Sequence, residues 1–277
     1  MTEQKSKEIR SREDVRKRID TIDDALMELL TKRMSISLEM AEAKKQKGLP
    51  LFDAARENEI LEKISNFSKE FNPKNAMQIH SATEKVYAQI MTQSRRIQSN
   101  ILLPNVIYLI GYMGSGKTTV GKELSQVTGF SFIDMDTKIQ LSEHNSIRTI
   151  FNEKGEPYFR EKETALLETL SHKKEIIVSC GGGIVLNENN RKLLKDSGGC
   201  IFLDGFPRDM FERIKADPNR PNAYFETENE EQRLTQFNRR YQKRKDFYLE
   251  AANRTIFIDK ETPEQIAKGI TFLLSNE

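Results

Sequence analysis

The chain has 277 residues, of which 37% are hydrophobic and 31% charged, and its formal net charge is +2. That profile is expected of a soluble globular protein with one or two domains and ample material for a core. A near-balanced charge gives no bulk attraction for nucleic acid. The basic run at 10–18 is interleaved with Glu13 and Asp14 and reads as a solvated helix face. Cys180 and Cys200 have no CxxC spacing and make no disulfide framework, which fits a reducing cytosol. MTEQKSKEIRSRED at the N-terminus has no apolar segment of a secretory signal. No apolar run approaches the ~20 residues that cross a bilayer, so the expected location is cytoplasmic and no membrane partner is implied.

From Ile9 to Lys47 there is neither Gly nor Pro, and Gly48-Leu49-Pro50 ends the pattern. Such a helix exceeds ~50 Å and must lie along partners to be stable. Val15, Ile19, Ile22, Leu26, Leu29, Arg33, Ile36, Met40 and Ala43 alternate by four and three, a coiled-coil-like stripe. Arg33 interrupts it, and Lys44 returns to the same face within ~20°. Buried cations require anionic partners; an internal salt bridge and a ligand site both satisfy that demand. Asp53 can cap a second helix, opened by Arg56 and Glu57, with Ile60, Leu61, Ile64 and Phe67 at helical spacing. Asn72 and Pro73 then supply the N-cap and first turn of a third helix, ending near Gln98. On it, Ser94 and Gln98 continue the stripe of Val86 and Ile90. Polar groups from all three helices therefore face inward, as in bundles that hold small molecules.

Residues 99–105 (SNILLPN) read as a linker. Beyond them, VIYLI (106–110), FSFID (130–134), EIIVS (175–179), CIFLD (200–204) and TIFID (255–259) alternate with amphipathic segments. This predicts βαβ units and a five-stranded parallel sheet covered on both faces.

GYMGSGKTTVG (111–121) fits the phosphate-binding pattern GxxxxGK[ST], between a predicted strand and a helix over 117–128. Gly111, Gly114, Ser115, Gly116, Lys117, Thr118 and Thr119 form the ATP-binding loop. Its amides point at phosphate oxygens, Lys117 reaches the β/γ-phosphates and Thr118 ligates Mg²⁺. The loop does not name the acceptor, and no NKxD-like motif supports a GTPase. Asp134 and Asp136 end a strand two residues apart, which predicts both carboxylates on one face at its C-terminal edge. GEPYFREKE (155–163) puts Arg160 and Glu163 in the first turns of a helix. Gly181, Gly182 and Gly183 follow a strand and admit close backbone approach to a ligand. Arg220-Pro221 lies in a polar stretch (216–229) long enough for a lid, and Arg244 belongs to RKDFY near a helix end. Taken singly, each arginine reads as a surface or structural residue.

In order and spacing these motifs resemble shikimate kinase over residues 104–277, a P-loop fold of the nucleoside-monophosphate-kinase type. The resemblance implies that Asp136 binds the shikimate hydroxyls and accepts the proton, and that Asp134 holds Mg²⁺ through water. It implies that Arg160 and Arg244 grip the carboxylate, a task suited to planar donors, with Glu163 orienting Arg160. Gly181–Gly183 would be the substrate loop, Arg220 the catalytic lid arginine and Arg213 the residue stacked on adenine. Asn222-Ala223 departs from the leucines usual after Arg-Pro.

Residues 10–98 resemble chorismate mutase of the all-helical type, through RIDTIDDALMELLTKRMSISLEMAEAKKQKGLPLFDAARENEIL and YAQIMTQSRRIQ. By that match Arg16 and Arg33 bind substrate carboxylates, and Lys44 and Gln98 donate to the ether oxygen. Glu57 and Asp53 meet the hydroxyl region, and Arg56 and Ser94 complete the pocket. Arg16 lies ~25 Å along the helix from Arg33, so the resemblance implies an intertwined homodimer in which one chain's Arg16 completes its partner's pocket. The expected organisation is a helical domain at 1–98, a linker at 99–105 and a kinase domain at 106–277. The implied function is bifunctional, within aromatic amino-acid biosynthesis. Two alternatives keep a kinase: one makes the helices a dimerisation or ligand-sensing module, the other changes the acceptor to a gluconate or nucleotide type. A pure coiled-coil scaffold would gain nothing from the inward Arg33, Lys44, Ser94 and Gln98.

Overall fold

The computed structural model describes residues 11–71, 75–215 and 229–275. The first helix, α1 (Arg12–Lys47), is one unbroken span of 36 residues, ~54 Å long. Ser11 caps it by accepting from the Asp14 amide, Glu13 and Asp14 occupy its first turn, and lysines occupy its last. Each feature opposes the charge of the helix dipole at that end. Gly48 closes it in a left-handed conformation. Asp53 opens α2 (Ala54–Phe71), its Oδ1 accepting from the Arg56 amide at 3.0 Å. The third helix is α3 (Ala76–Leu102), with Asn75 at the cap position; the expected cap Asn72 and first-turn Pro73 lie outside the described residues. α3 packs against both α1 and α2.

The linker is shorter than expected. α3 does not stop near Gln98 but continues through Leu102, leaving only 103–105 before the first strand. Ser99 is fully buried and donates to the Thr128 carbonyl at 3.0 Å. Leu102 and Leu103 are buried in the core beneath the sheet. The apolar pair that resembled a tether is an anchor.

The sheet contains β1 (Val106–Ile110), β2 (Ser131–Asp134), β3 (Ile176–Ser179), β4 (Gly199–Gly205) and β5 (Arg254–Ile258), each within a residue of its expected bounds. The order is β2-β3-β1-β4-β5 and every pairing is parallel. Between and after the strands run α4 (Lys117–Thr128), α5 (Met135–Glu143), α6 (Ile147–Ser171), a 3-10 turn (Ile184–Leu186), α7 (Glu188–Asp196), α8 (Pro207–Lys215), α9 (Glu230–Ala251) and α10 (Pro263–Ser275).

Side chains alternate across the pleat. Tyr108, Ile110, Val178 and Phe202 face a core closed by Phe237, Tyr241 and Tyr248 of α9. Ile107, Leu109, Ile177, Ile201 and Leu203 face a second core closed by α4 and α10. Both faces of the central strands are thus dry, and ligands are left the crevice beyond the strands' C-terminal ends. The helical part is different. Val15, Ile19, Ile22, Leu26, Leu29, Ile36 and Met40 of the α1 stripe are exposed, and so is Val86 of the stripe expected on α3. No described helix is long and apolar enough to cross a membrane.

Candidate active sites

β1 delivers the glycine-rich loop to the crevice. Gly114 has φ +82°, and a Cβ there would lie 2.1 Å from the Met210 carbonyl oxygen, so only glycine fits. Ser115 is buried and Thr119 is exposed on α4. Lys117 begins α4 and donates its Nζ protons to the carbonyls of Gly111 at 2.8 Å and Tyr112 at 3.0 Å. Thr118 Oγ1 donates to Asp134 Oδ2 at 2.9 Å and lies 3.5 Å from Ser179 Oγ. Three elements, α4, β2 and β3, therefore converge hard oxygen donors on one point, a set suited to Mg²⁺. Ser179 was not singled out in the sequence; its place at the end of the strand beside β1 is the only signal it gave. Arg213 is exposed on α8 and donates to the Gly114 carbonyl at 3.3 Å. Arg220, with the rest of 216–228, lies outside the described residues.

The acceptor side requires one correction. Asp134 and Asp136 do not share a strand face, because β2 ends at Asp134 and Asp136 sits in the first turn of α5. Asp134 Oδ1 accepts from the Thr137 amide at 3.1 Å and its hydroxyl at 3.2 Å. A capping aspartate starts the helix immediately after the strand. Asp136 nonetheless reaches the triple glycine. A Cβ on Gly181 would lie 2.9 Å from Asp136 Oδ1 and 2.4 Å from Glu163 Oε1.

α6 is broken at Gly155, and its second half carries Arg160 and Glu163 in the first turns as expected. Arg160 Nη1 donates to Glu163 Oε2 at 2.7 Å and Nη2 to Glu156 Oε1 at 2.7 Å. A Cβ on Gly183 would come within 2.3–2.4 Å of that guanidinium. From α9, Arg244 Nη1 donates to the Gly182 carbonyl at 3.4 Å, and Tyr248 Oη donates to the same oxygen at 2.6 Å. Asp136, Arg160, Gly181, Gly182, Gly183 and Arg244 are thus gathered around one glycine loop beside the phosphate loop. Glu163 is fully buried. Burial is the main cause that pushes its carboxyl up to about 7, against the opposing field of Arg160. Two guanidinium groups, a carboxylate and a bare backbone suit a small hydroxylated anion.

In the helical part, Ser37 Oγ of α1 meets Ser94 Oγ of α3 at 2.6 Å, and Gln98 Nε2 donates to Ser94 Oγ at 3.4 Å. Arg33 Nη1 and Gln98 Oε1 are buried without a hydrogen-bond partner, the kind of deficit a polar guest satisfies. Lys44 Nζ donates to the Leu51 carbonyl at 2.5 Å. Burial pulls the Lys44 ammonium below its ordinary range, while Asp53 and Glu57 pull it back. Glu57 forms an ion pair with Arg95. Arg33, Lys44, Asp53, Glu57, Ser94 and Gln98 lie on facing helices, with Ser37 and Arg95 unanticipated. Ser37 sits four residues beyond Arg33 on the inner face, a signal that was available. Two residues stand apart: Arg56 is exposed and pairs with Glu59 at 2.5 Å, and Arg16 is exposed in the second turn of α1.

The fold and its gathered residues define a P-loop kinase for a small anionic acceptor, joined to a helical unit with an inward polar face. The chain belongs to the shikimate kinase family, whose model (Shikimate kinase) matches residues 113–274, while the Chorismate mutase type II model matches residues 15–99. It is 38% identical over 164 residues to shikimate kinase of Sulfurihydrogenibium sp., covering 59% of this chain and 94% of that one. With shikimate kinase of Persephonella marina it shares 39% identity over 169 residues, covering 59% and 95%. The structure of shikimate kinase from Acinetobacter baumannii in complex with shikimate superposes with a TM-score of 0.57 at 34% identity, over 62% of this chain and 94% of that one.

Proposed function

We propose that this chain catalyses two reactions of aromatic amino-acid biosynthesis: ATP-dependent phosphorylation of the shikimate 3-hydroxyl, and rearrangement of chorismate to prephenate. The observation that carries the first is the gathering of Asp136, Arg160 and Arg244 on the Gly181–Gly183 loop, next to Lys117. Arg160 and Arg244 hold the acceptor carboxylate, and Asp136 orients the hydroxyl and takes its proton. Lys117 leaves its loop carbonyls for the phosphate oxygens, and Arg213 and Arg220 complete the nucleotide side. Thr118 and, through water, Asp134 would hold Mg²⁺, which supplies charge neutralisation when bound. Phosphoryl transfer needs little else from a protein than such positioning and charge.

The second reaction is unimolecular and needs no acid, base or nucleophile. Arg33 holds a carboxylate, and Lys44 and Gln98 donate to the ether oxygen as its negative charge grows. Glu57, Asp53, Arg56 and Ser94 shape the rest of the pocket. The orphaned polar atoms of Arg33 and Gln98 support this reading.

The exposed α1 stripe and the isolation of Arg16 support a homodimer, in which Arg16 of a second copy reaches the pocket. Residues up to the end of α3 would form one domain and 106–277 the other, in a cytoplasmic enzyme without nucleic-acid or membrane partners. One purified chain assayed for ADP release with shikimate and for chorismate consumption tests both activities. A monomer in analytical ultracentrifugation with full mutase turnover would remove the shared-pocket arrangement.

A further inference from the structure

The turn between α1 and α2 does not stay within the helical unit. Leu51 is 1% exposed, and its side chain belongs to the core closed by α4 and α10, with Leu102, Ile107, Val127, Ile270 and Leu274. Phe52 packs on the same core, under the Lys268 ammonium at 4.2 Å and the Arg95 guanidinium at 5.7 Å from the ring centroid. The backbone of that turn faces the other way, since the Leu51 carbonyl accepts from Lys44 Nζ at 2.5 Å. Arg95 spans the same boundary. It pairs with Glu57, and its Nη2 donates to Thr92 Oγ1 and to the Gln126 carbonyl in the last turn of α4, both at 3.2 Å. A cation at the C-terminus of α4 also meets the negative end of that helix's dipole.

We propose that the kinase half of this chain is part of the scaffold of the mutase pocket, with Leu51 and Arg95 as positioning residues for Lys44 and Glu57. The proposal rests on the mutase reading of the helical unit. Lys44 and Glu57 are long, flexible side chains, and a displacement of about 1 Å in such groups can cost on the order of a hundredfold in rate. Here each is referenced to a group seated outside its own helix pair. The Lys44 acceptor is fixed because the Leu51 side chain is locked under the sheet, and the Glu57 partner is fixed because Arg95 is tied to the end of α4. The sheet thus holds two pocket groups by contacts that touch no substrate.

The test uses the full-length dimer or monomer as purified, at a temperature where circular dichroism shows each variant folded. Lys44 acts on the ether oxygen as charge develops, so Leu51→Ala is expected to lower mutase kcat about tenfold with little change in KM. Glu57 serves binding, so Arg95→Ala is expected to raise KM for chorismate several-fold, and Arg95→Lys to restore part of it. Glu175 pairs with Arg96 and accepts from Asn100 across the same boundary but contacts no pocket group. Glu175→Gln therefore serves as the control for loss of stability alone and leaves the mutase constants unchanged. Kinase kcat/KM stays within about twofold in all four variants. Wild-type mutase constants in both Leu51→Ala and Arg95→Ala would overturn the proposal, as would a loss in Glu175→Gln matching theirs. A wild-type chain that consumes no chorismate sinks the mutase reading first and the proposal with it. A wild type that does, beside indifferent variants, sinks the proposal alone.

Discussion

The two halves of the molecule solve the same packing problem to different degrees. The sheet half buries its central strands on both faces, one core built wholly from its own residues and the other sealed with Leu51, Leu102 and Leu103 of the helical half, and its described kinase-site residues gather around one loop. The helical half leaves most of its longest apolar stripe in solvent, with Leu29 62% and Ile22 57% exposed. A parallel sheet wrapped by helices hides its apolar residues by topology. A ~54 Å helix packed chiefly against α3 does not, and an exposed apolar face of that extent is the kind that marks an interface. The difference teaches that the kinase site gathers its described residues through the chain's own fold, whereas the proposed mutase site would draw Arg16 from a second copy.

The sharpest way to break this comparison is to silence each site separately. Lys117→Ala is expected to lower kinase turnover by about three orders of magnitude, roughly 4 kcal/mol of transition-state stabilisation, with mutase turnover intact; coupled ADP release and chorismate absorbance read both. Arg33→Ala is expected to do the converse, with a mutase loss of about a hundredfold or more and no kinase change. Next comes the unpartnered stripe. Leu26→Glu puts a charge in it and is expected to convert a sedimenting dimer to monomer with loss of mutase activity only. A dimer that survives this change places the interface elsewhere. Gly183→Ala sets a methyl against the Arg160 guanidinium. The expected result is a shikimate KM raised about tenfold, at unchanged ATP KM.

The smallest effect concerns pH. The Glu163 carboxyl stands at about 7 in the folded chain against an ordinary value of 4.5. A raised carboxyl contributes stability that is fully present below its unfolded value and is lost as pH rises through about 7. Glu163→Gln, which cannot ionise, should therefore gain in relative melting temperature from pH 5 to a plateau above 7. In the wild type, protonation below about 7 removes a charged partner from Arg160, so shikimate KM should rise as pH falls. The Gln variant should flatten that profile.

Much of this architecture was legible because it is written in local patterns. The phosphate loop needs glycines at fixed offsets, and the β-branched runs locate every described strand to within a residue. Asp136 comes beside Gly181 from the first turn of α5 and not from a strand face. The period-two rule assumed a strand, whereas the capping side chain of Asp134 starts a helix one residue sooner. The failures are tertiary. Nothing in SNILLPN distinguishes a tether from a helix end, until Ser99 and Leu102 find their seats beneath the sheet. Nothing in GLPLFD says that Leu51 belongs to a core built from residues beyond Val106. Arg95 follows Ser94 on α3, but Glu57 and the Gln126 carbonyl reach it from α2 and α4, which no helical periodicity brings together.

Lys117 has a consequence for nucleotide affinity. Its ammonium rests on the carbonyl oxygens of Gly111 and Tyr112, so the loop itself can solvate that cation. Arrival of a triphosphate is then a ligand swap around that nitrogen, peptide oxygens giving way to phosphate oxygens, and the lysine's own contribution to binding is the difference between the two shells. Lengthening or shortening the side chain would upset the resting shell as well as the occupied one, so the enzyme's grip on ATP is set as much by what the lysine relinquishes as by what it gains.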